Sequence, residues 1–242
     1  NGLVEEERSV PLLLFVKKAS VRYFPLGVIG CIIPGNFPFH NAVSHITTAI
    51  FSGNSVIVKA SEFGSLSRRF IQNMYNTVLS KRGHSVDLVQ VLVGYGETGR
   101  ALCEGGVDKI LFIGSPATGK LVMKSCANNL TPVTLELGGK DPFIVFDDCD
   151  YDQMCGVAMR SVFVNNGQNC IAAERMFVQE GVHDKFLEYV VPRVKKLRQG
   201  YSKNKCVDVG CMNMAKQMEI VEKLVEDAID QGAVCLAGGK RN

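Results

Sequence analysis

The stretch "VIGCIIPGNFPFHNAVSHITTAIFSGNSVIVK", residues 28–59, contains two short apolar runs separated by a segment of helical length. The runs at 28–33 and 55–59 are rich in Val and Ile, which predicts buried strands, and residues 40–52 are predicted to form a helix between them. Parallel strands need a helical crossover of this length, so the two strands are predicted to pair in parallel. The stretch therefore predicts an α/β fold with helices on both faces of a parallel sheet.

The same alternation continues along the chain. Further strands are predicted at 88–93, 109–113 and Val133–Leu137, and further helices at 64–81, 97–104 and 117–128. Beyond these, strands are predicted at 143–146 and 175–179, and helices at 151–164 and 182–198. We place a domain boundary where the content of the pattern changes, which gives domains at 1–137 and 138–242.

One more helix is predicted near the C terminus, before Gly232. Its apolar residues recur at helical spacing and are Met214, Met218, Val221, Val225 and Ala228. We expect this stripe to pack against the core.

Composition excludes several classes of protein. Apolar residues make up 46% of the 242-residue chain and charged residues 21%, which is typical of a soluble globular protein. The net charge of +3 is too small to indicate nucleic-acid binding, and Pro and Gly interrupt every long apolar run. The chain starts without Met and ends soon after a strand-like run, so we expect a fragment of a longer protein, whose other parts could carry a targeting or anchoring segment.

Cysteine usage points to a reducing compartment, which we take to be the cytoplasm. Nine Cys are present, without the paired spacing of a disulfide framework or a zinc site, so no metal is expected. Cys31, Cys126 and Cys155 lie inside apolar runs and are predicted to be small buried hydrophobes.

Two glycine motifs resemble nucleotide-binding signatures incompletely. "GSPATGKL" at 114–121 is one residue short of a P-loop, because Leu121 stands where a hydroxyl would ligate magnesium. "GYGETG" at 94–99 has the G-x-G-x-x-G spacing, but no acidic residue ends the following strand. ATP hydrolysis is therefore disfavoured, and the second motif is interpreted as a tight turn between a strand and a helix.

Two charged residues lie at the carboxyl end of the second strand, where such sheets bind ligands. Lys59 and Glu62 could hold a ribose diol between a donor and an acceptor, or could form a surface ion pair.

Three further residues suit carbonyl chemistry. Cys170 follows the polar turn "NNGQN", so its thiol could approach a carbonyl carbon. Glu136 precedes two glycines near a strand end and suits a general base. Asn36 lies between two prolines, which makes its amide a preorganised oxyanion donor or, alternatively, a cap for the next helix.

Five phrases together resemble the aldehyde dehydrogenase superfamily, and they occur in that superfamily's order. They are "IIPGNFP", "GNSVIVKASE", "FIGSPATGK", "VTLELGGKDP" and "FVNNGQNCIAAER". The resemblance runs from Tyr23 to the end of the chain, and "FSGN" and "TPVTLELGGKD" are similar to a divergent plant and fungal subgroup. It implies a Rossmann-like cofactor domain followed by part of an α/β catalytic domain, together about the middle half of a family member.

The resemblance implies oxidation of an aldehyde to a carboxylic acid. Cys170 would be the nucleophile that forms a thiohemiacetal and then a thioester, with the oxyanion held by the Asn36 amide and the Cys170 backbone N–H. Glu136 would activate the hydrolytic water.

The resemblance also implies the cofactor site, and a homo-oligomer of two or four full-length chains. Lys59 and Glu62 would hold the adenosine ribose of NAD, and the Glu62 carboxylate would disfavour NADP. The other cofactor-binding residues implied are Ile33, Pro34, Gly114 and Ser115.

The residue directly before Asn36 departs from the family pattern. Gly35 occupies a position where the family usually has Trp. A scaffold of the same fold that has lost catalysis therefore remains an alternative. A CoA-acylating relative is a separate alternative, against which Glu136 argues.

Overall fold

The computed structural model describes residues 5–201, 203 and 206–241. The chain forms two compact units, of which the first extends to Glu136 and the second begins at Leu137. This division lies one residue before the boundary predicted from the sequence.

The first unit begins with an antiparallel hairpin formed by β1 (Glu5–Arg8) and β2 (Ala19–Arg22). Glu5 is opposite Arg22, and the two side chains form an ion pair of 3.0 Å. This hairpin was not predicted from the sequence, because its strands are short and mostly polar. Residues 11–20, which connect the strands and begin β2, are all exposed.

A regular alternation of strands and helices follows the hairpin. The elements are β3 (Val28–Ile32), α1 (Pro38–Phe51), β4 (Ser55–Ala60), α2 (Ser65–Lys81), β5 (Val89–Val93), α3 (Gly96–Glu104), β6 (Lys109–Gly114), α4 (Pro116–Ala127) and β7 (Val133–Leu137). Every one of these elements was predicted, and its ends differ from the prediction by no more than two residues.

The strands after the hairpin form a five-stranded sheet in the order β5-β4-β3-β6-β7. β3 pairs in parallel with β4 on one side and with β6 on the other, and β4 pairs in parallel with β5. The predicted Rossmann-like parallel sheet is therefore confirmed. Because the chain runs outward from β3 to β5 and then returns to β6, a topological switch point lies between β3 and β6. Such switch points create a crevice at the carboxyl ends of the strands.

The core of the first unit lies between the sheet and helices α1 and α2. Val56 and Val58 alternate along β4, and Val89 and Val91 alternate along β5, so that each pair is buried on one face. Ile46 of α1 is fully buried against them. Apolar packing of this kind fixes where the strand ends lie.

The second unit contains β8 (Asp141–Val145), α5 (Tyr151–Phe163), β9 (Ala173–Val178), α6 (His183–Lys195) and α7 (Ala215–Asp230). β8 and β9 pair in parallel. Its small core consists of Val145, Met154, Cys155, Ala158 and Phe186. Asp150 caps α5 by accepting a hydrogen bond of 3.0 Å from the backbone N–H of Gln153.

Helix α7 forms as predicted, but the expected packing of its apolar stripe is wrong. None of the helix residues is buried: Met218 and Val225 of the stripe are half-buried, and Val221 is 39% exposed. Helical spacing identifies the apolar face of a helix, whereas the partner that covers it depends on tertiary structure.

The prediction that Cys31, Cys126 and Cys155 are buried is confirmed, and Cys103 is buried as well. Burial raises the pKa of the Cys31 thiol to about 12. Among the described residues, no helix is long and apolar enough to cross a membrane.

Candidate active site

A cavity of about 830 Å³ opens in the first unit at the carboxyl ends of β3, β4 and β6. This volume lies within the range of small-molecule pockets, about 300–1,000 Å³. Helices α3 and α4 supply the remaining walls. The cavity therefore occupies the topological switch point, where open parallel sheets bind ligands.

All six residues that were predicted to bind a cofactor line this cavity. They are Ile33, Pro34, Lys59, Glu62, Gly114 and Ser115. The structure thus brings together residues that come from three separate strand ends.

The wall formed by α3 was not predicted from the sequence. Tyr95, Gly96, Gly99 and Arg100 all line the cavity. At Gly96 no heavy atom lies within 4 Å of the position that a Cβ would occupy, so the backbone there is open to a ligand. The "GYGETG" motif at 94–99 was the sequence signal that could have predicted this wall, since its residues line the same cavity as the strand ends.

Lys59 is the buried charge of the cavity. Lys59 is only 7% exposed. Burial lowers the pKa of its ammonium group, and the negative charge of the nearby Glu62 carboxylate partly offsets this lowering. Glu62 accepts a hydrogen bond of 3.2 Å from the Ser61 hydroxyl. A surface ion pair, the alternative for Lys59, does not fit a residue so deeply buried.

The N terminus of α4 faces the cavity. Ser115 caps the helix by accepting a hydrogen bond of 3.2 Å from the backbone N–H of Thr118, and Pro116 begins the first turn. A Cβ at Gly114 would lie 2.6 Å from the Phe112 ring, so a larger residue here would require this ring to move. A helix N terminus of this kind favours an anionic group. Lys120 lies exposed on the same helix.

Asn36 follows β3, just beyond the cavity. Its Oδ1 accepts hydrogen bonds from the backbone N–H of Phe37 at 3.0 Å and from Nδ2 of Asn41 at 3.4 Å. These contacts orient the amide, whose donor atom is Nδ2. Phe37 is the N-cap residue of α1, and the Asn36 side chain accepts from its backbone N–H, so the alternative role at the start of this helix stays a prediction beside that of oxyanion donor.

The structure gives a steric reason for glycine at position 35. A Cβ there would lie 3.2 Å from Cβ of Phe63 and 3.4 Å from Oγ of Ser61. The turn that follows β4 therefore packs closely against the Gly35 backbone. A larger side chain at position 35 would require this turn to move.

The three predicted catalytic residues are divided between the two units. Asn36 and Glu136 belong to the first unit, and Cys170 belongs to the second. Glu136 lies on β7 with an exposed side chain. Cys170 is also exposed, on a turn that precedes β9.

The segment before Cys170 has an unusual backbone. Asn165, Asn166 and Gly167 have φ values of 53°, 59° and 70°, so three consecutive residues adopt the left-handed conformation. Two Asn and one Gly are the residue types that tolerate this region best. The prediction of a polar turn before Cys170 is confirmed, and its left-handed backbone is an addition from the structure.

Polar contacts hold the turn that carries Cys170. The Asn165 side chain donates to the carbonyl of Gln168 at 3.2 Å, and the Gln168 side chain donates to the carbonyl of Asn165 at 3.0 Å. Asn169 Oδ1 accepts from the backbone N–H of Ile171 at 3.4 Å and lies 3.9 Å from Cys170 Sγ. The thiol is therefore exposed on a turn with a defined shape.

Beside the Cys170 turn, a hydrogen bond and an ion pair connect the residue before β8 with β9. Arg175 Nε donates to the carbonyl of Lys140 at 2.7 Å, and Lys140 forms an ion pair with Glu174. A Cβ at Gly139 would lie 3.5 Å from the Cys170 carbonyl oxygen, so the two backbone segments run close together. Within the part of the chain that the structure describes, no group of three His, Cys, Asp or Glu side chains could hold a metal ion.

The fold is that of a Rossmann-like dinucleotide-binding domain joined to a second α/β unit. Residues 5–242 match the family model described as "Aldehyde dehydrogenase family". The chain belongs to the aldehyde dehydrogenase family.

Individual relatives agree with this membership. An aldehyde dehydrogenase-like protein of Schizosaccharomyces pombe is 38% identical over 242 residues, which is 100% of this chain and 46% of the relative. The chain thus spans about half the length of that relative. The NAD⁺ complex of an aldehyde dehydrogenase from Bacillus cereus is 29% identical, with a TM-score of 0.88 over 99% of this chain and 48% of that structure.

A second similar structure is a complex with NADP. The glyceraldehyde-3-phosphate dehydrogenase GapN of Methanocaldococcus jannaschii, complexed with NADP, is 31% identical. Its TM-score is 0.90 over 99% of this chain and 52% of that structure.

Proposed function

We propose that the full-length protein oxidises an aldehyde to a carboxylic acid with NAD. The observation that carries this proposal is the cavity at the switch point, which is lined by all six predicted cofactor-binding residues in a chain of the aldehyde dehydrogenase family. The first unit would bind the dinucleotide, and the second unit would be part of the catalytic domain.

The residues around the cavity suit a dinucleotide. Lys59 and Glu62 supply a donor and an acceptor for a ribose diol, and the N terminus of α4 suits a pyrophosphate. Ile33 and Pro34 supply apolar surface at the end of β3. When bound, NAD supplies the acceptor for the hydride that leaves the substrate.

We propose that NAD is preferred to NADP. Glu62 lines the cavity beside Lys59, and a carboxylate next to the ribose would repel the additional phosphate of NADP. The similar structures named above include one complex with NAD⁺ and one with NADP. The ratio of kcat/KM for the two dinucleotides measures this preference in the full-length protein.

Cys170 would act as the nucleophile. Its thiolate sulfur would form a bond with the aldehyde carbon, while the carbonyl electron pair moves to oxygen and gives a thiohemiacetal. Loss of hydride from the same carbon would restore the carbonyl and leave a thioester on Cys170. The exposed position of Cys170 on a fixed turn supports this role.

Asn36 and Glu136 would act on the intermediates. The amide of Asn36, oriented by its contacts to Phe37 and Asn41, would donate from Nδ2 to the oxyanion. The Glu136 carboxylate would accept a proton from water as the water oxygen attacks the thioester carbon. The C–S bond would then break, which releases the acid and the Cys170 thiolate, while Glu136 returns its proton to solvent.

The identity of the product separates this proposal from CoA-acylating chemistry. We expect the full-length protein to produce free acid and NADH from an aldehyde and NAD, at a rate that CoA does not change. Formation of an acyl-CoA would instead mean that CoA takes the acyl group. Absence of NADH formation with a broad set of aldehydes would favour the scaffold alternative.

We further propose that the full-length protein forms a homo-oligomer in the reducing environment of the cytoplasm. All nine Cys are free thiols in the structure, which fits such an environment. Light scattering on the full-length protein measures its oligomeric state, and fractionation of cells measures its compartment.

A further inference from the structure

The side-chain amide of Asn36 has a defined orientation because two donors meet its oxygen. The backbone N–H of Phe37 donates to Oδ1 at 3.0 Å. This N–H can only donate, so the atom that faces it must be the amide oxygen of Asn36. Asn41 therefore presents its own NH₂ group to the same oxygen, at 3.4 Å. The donor atom Nδ2 of Asn36 lies on the other edge of the amide.

The backbone of Asn41 is held in the first turn of α1. Its N–H donates to the Phe37 carbonyl at 2.9 Å. Its carbonyl lies 2.6 Å from Nδ1 of His45, which must be the donor because a carbonyl only accepts. Pro38 begins the helix with a restricted φ, and Ala42, the next residue along, is fully buried in the core. The Asn41 side chain thus extends from a rigid element, as a group that positions another requires.

The residue on the other side of Asn36 in the chain has no side chain. Gly35 precedes it, and a Cβ at position 35 would lie 3.2 Å from Cβ of Phe63. A side chain at position 35 therefore does not help to hold the amide. The side-chain contact to the Asn36 oxygen comes from Asn41, five positions further along, where both residues are half-buried.

We infer that Asn41 is a positioning residue, which keeps the Asn36 amide in the orientation that presents Nδ2 to the oxyanion. The inference rests on the proposed function, in which Asn36 donates to the oxygen of the thiohemiacetal. With the amide turned over, Oδ1 would face a negatively charged oxygen and would repel it. In this role Asn41 acts on the rate through Asn36 alone.

Two substitutions of Asn41 in the full-length protein should differ in their effect on kcat/KM for the aldehyde at saturating NAD. Asn41→Leu keeps the size of the side chain but removes the donor, so kcat/KM should fall roughly 3- to 10-fold. Asn41→Asp should lower it further, roughly 10- to 100-fold, because a carboxylate only accepts and would attract Nδ2 of Asn36 away from the substrate. The affinity for NAD should not change in either variant.

A double-mutant cycle separates positioning from a purely structural role. Asn36→Ala removes the oxyanion donor and should lower kcat/KM roughly 100-fold or more. In that background Asn41→Leu should have no further effect, because the amide that Asn41 orients is absent. Thr48→Ala is the control on the same helix: Thr48 is exposed, its hydroxyl donates to the Ser44 carbonyl at 2.9 Å, and kcat/KM should stay unchanged.

The outcomes distinguish this inference from the proposed function. A loss from Asn41→Leu that is equally large in the Asn36→Ala background would make Asn41 a structural residue and overturn the inference. Equal kcat/KM for the wild type, Asn41→Leu and Asn41→Asp would overturn it as well. Circular dichroism checks folding, and Asn41→Asp, which changes a single group, keeps the test usable whether or not Asn41→Leu folds. No NADH formation by the wild type, or full activity of Asn36→Ala, would instead overturn the proposed function, and the inference with it.

Discussion

The cavity of the first unit and the Cys170 turn of the second unit are held in place by different forces. The cavity is formed by strand ends whose neighbouring residues, such as Val58 and Ile110, are fully buried. The Cys170 turn is fixed by hydrogen bonds of Asn and Gln side chains and by three left-handed residues. Apolar packing therefore fixes the binding groups, and local backbone geometry fixes the thiol. We expect ligand binding and thiol chemistry to respond to different substitutions.

Cys170→Ser should have the largest effect. The alcohol is a far weaker nucleophile, so aldehyde-dependent NADH formation by the full-length protein should fall roughly 10⁴-fold or more. NAD affinity, measured by calorimetry, should stay within about twofold if binding and chemistry are separate. Cys206→Ser, at another exposed cysteine of the second unit, is the control and should keep full activity. Undiminished turnover by Cys170→Ser would defeat the proposed mechanism.

Lys59→Met should weaken NAD binding roughly 10- to 100-fold, because a hydrogen bond from a charged group contributes about 1.5–3 kcal/mol. The rate at which iodoacetamide labels Cys170 should not change, since the substitution lies in the other unit. Lys120→Met, at an exposed position of α4, serves as the control and should bind NAD normally. An equal loss of affinity in both variants would contradict a specific role for Lys59.

The same variant should change how stability depends on pH. Burial lowers the pKa of Lys59 in the folded state, so the unfolded chain binds the proton more tightly than the folded chain does. This unfavourable contribution is fully present below the folded pKa and disappears as pH rises towards the ordinary lysine pKa of about 10.4. Lys59→Met should therefore be more stable than the wild type at neutral pH. Urea denaturation should show this difference shrinking as pH increases.

Gly167→Ala tests the backbone of the second region. With φ at +70° and a Cβ that would lie 3.3 Å from the carbonyl oxygen of Val162, the substitution should cost about 1–2 kcal/mol. Gly156→Ala in α5 is the matched control, because nothing lies within 4 Å of its Cβ position. That change should stabilise the helix by about 0.5–1 kcal/mol. Urea denaturation measures both, and a neutral Gly167→Ala would show that the turn is not strained.

Removal of a single helix cap should have the smallest effect on stability. Ser115→Ala and Asp150→Ala each remove one side-chain cap, so each should lower the free energy of unfolding by about 1 kcal/mol. Ser115 lines the cavity, whereas Asp150 lies in the second unit. Only Ser115→Ala should therefore also weaken NAD binding. Calorimetric titration of both variants distinguishes a binding role of Ser115 from a purely structural one.

The sheet of the first unit could be predicted because its strands are continuous apolar runs between helical segments. The hairpin of β1 and β2 could not, since "EEER" and "ASVR" carry neither an apolar run nor strict alternation. β8 and β9 each begin two residues before the predicted strand. Their first residues include Asp141, Pro142 and Glu174, which sequence patterns associate with loops and exposed segments.

The candidate site was predictable where it depends on strand ends. Lys59 and Glu62 directly follow an apolar run, so their position at the sheet edge could be inferred from the sequence. Tyr95 and Arg100 could not be assigned in this way, because the face of α3 that meets the cavity depends on how the helix packs against the sheet. The exposed stripe of α7 shows the same limit, since a pattern does not specify what covers it.

The buried thiols give each unit its own reporter of transient opening. Cys31, Cys103 and Cys126 are closed off in the first unit, and Cys155 is closed off in the second. Burial raises the pKa of the Cys103 thiol to about 12, so it stays protonated and unreactive until water reaches it. Under native conditions, the alkylation rate of each buried thiol therefore measures how often its surroundings unfold locally. Mass spectrometry of the labelled peptides would give a free energy of local opening for each unit, without any substitution in the chain.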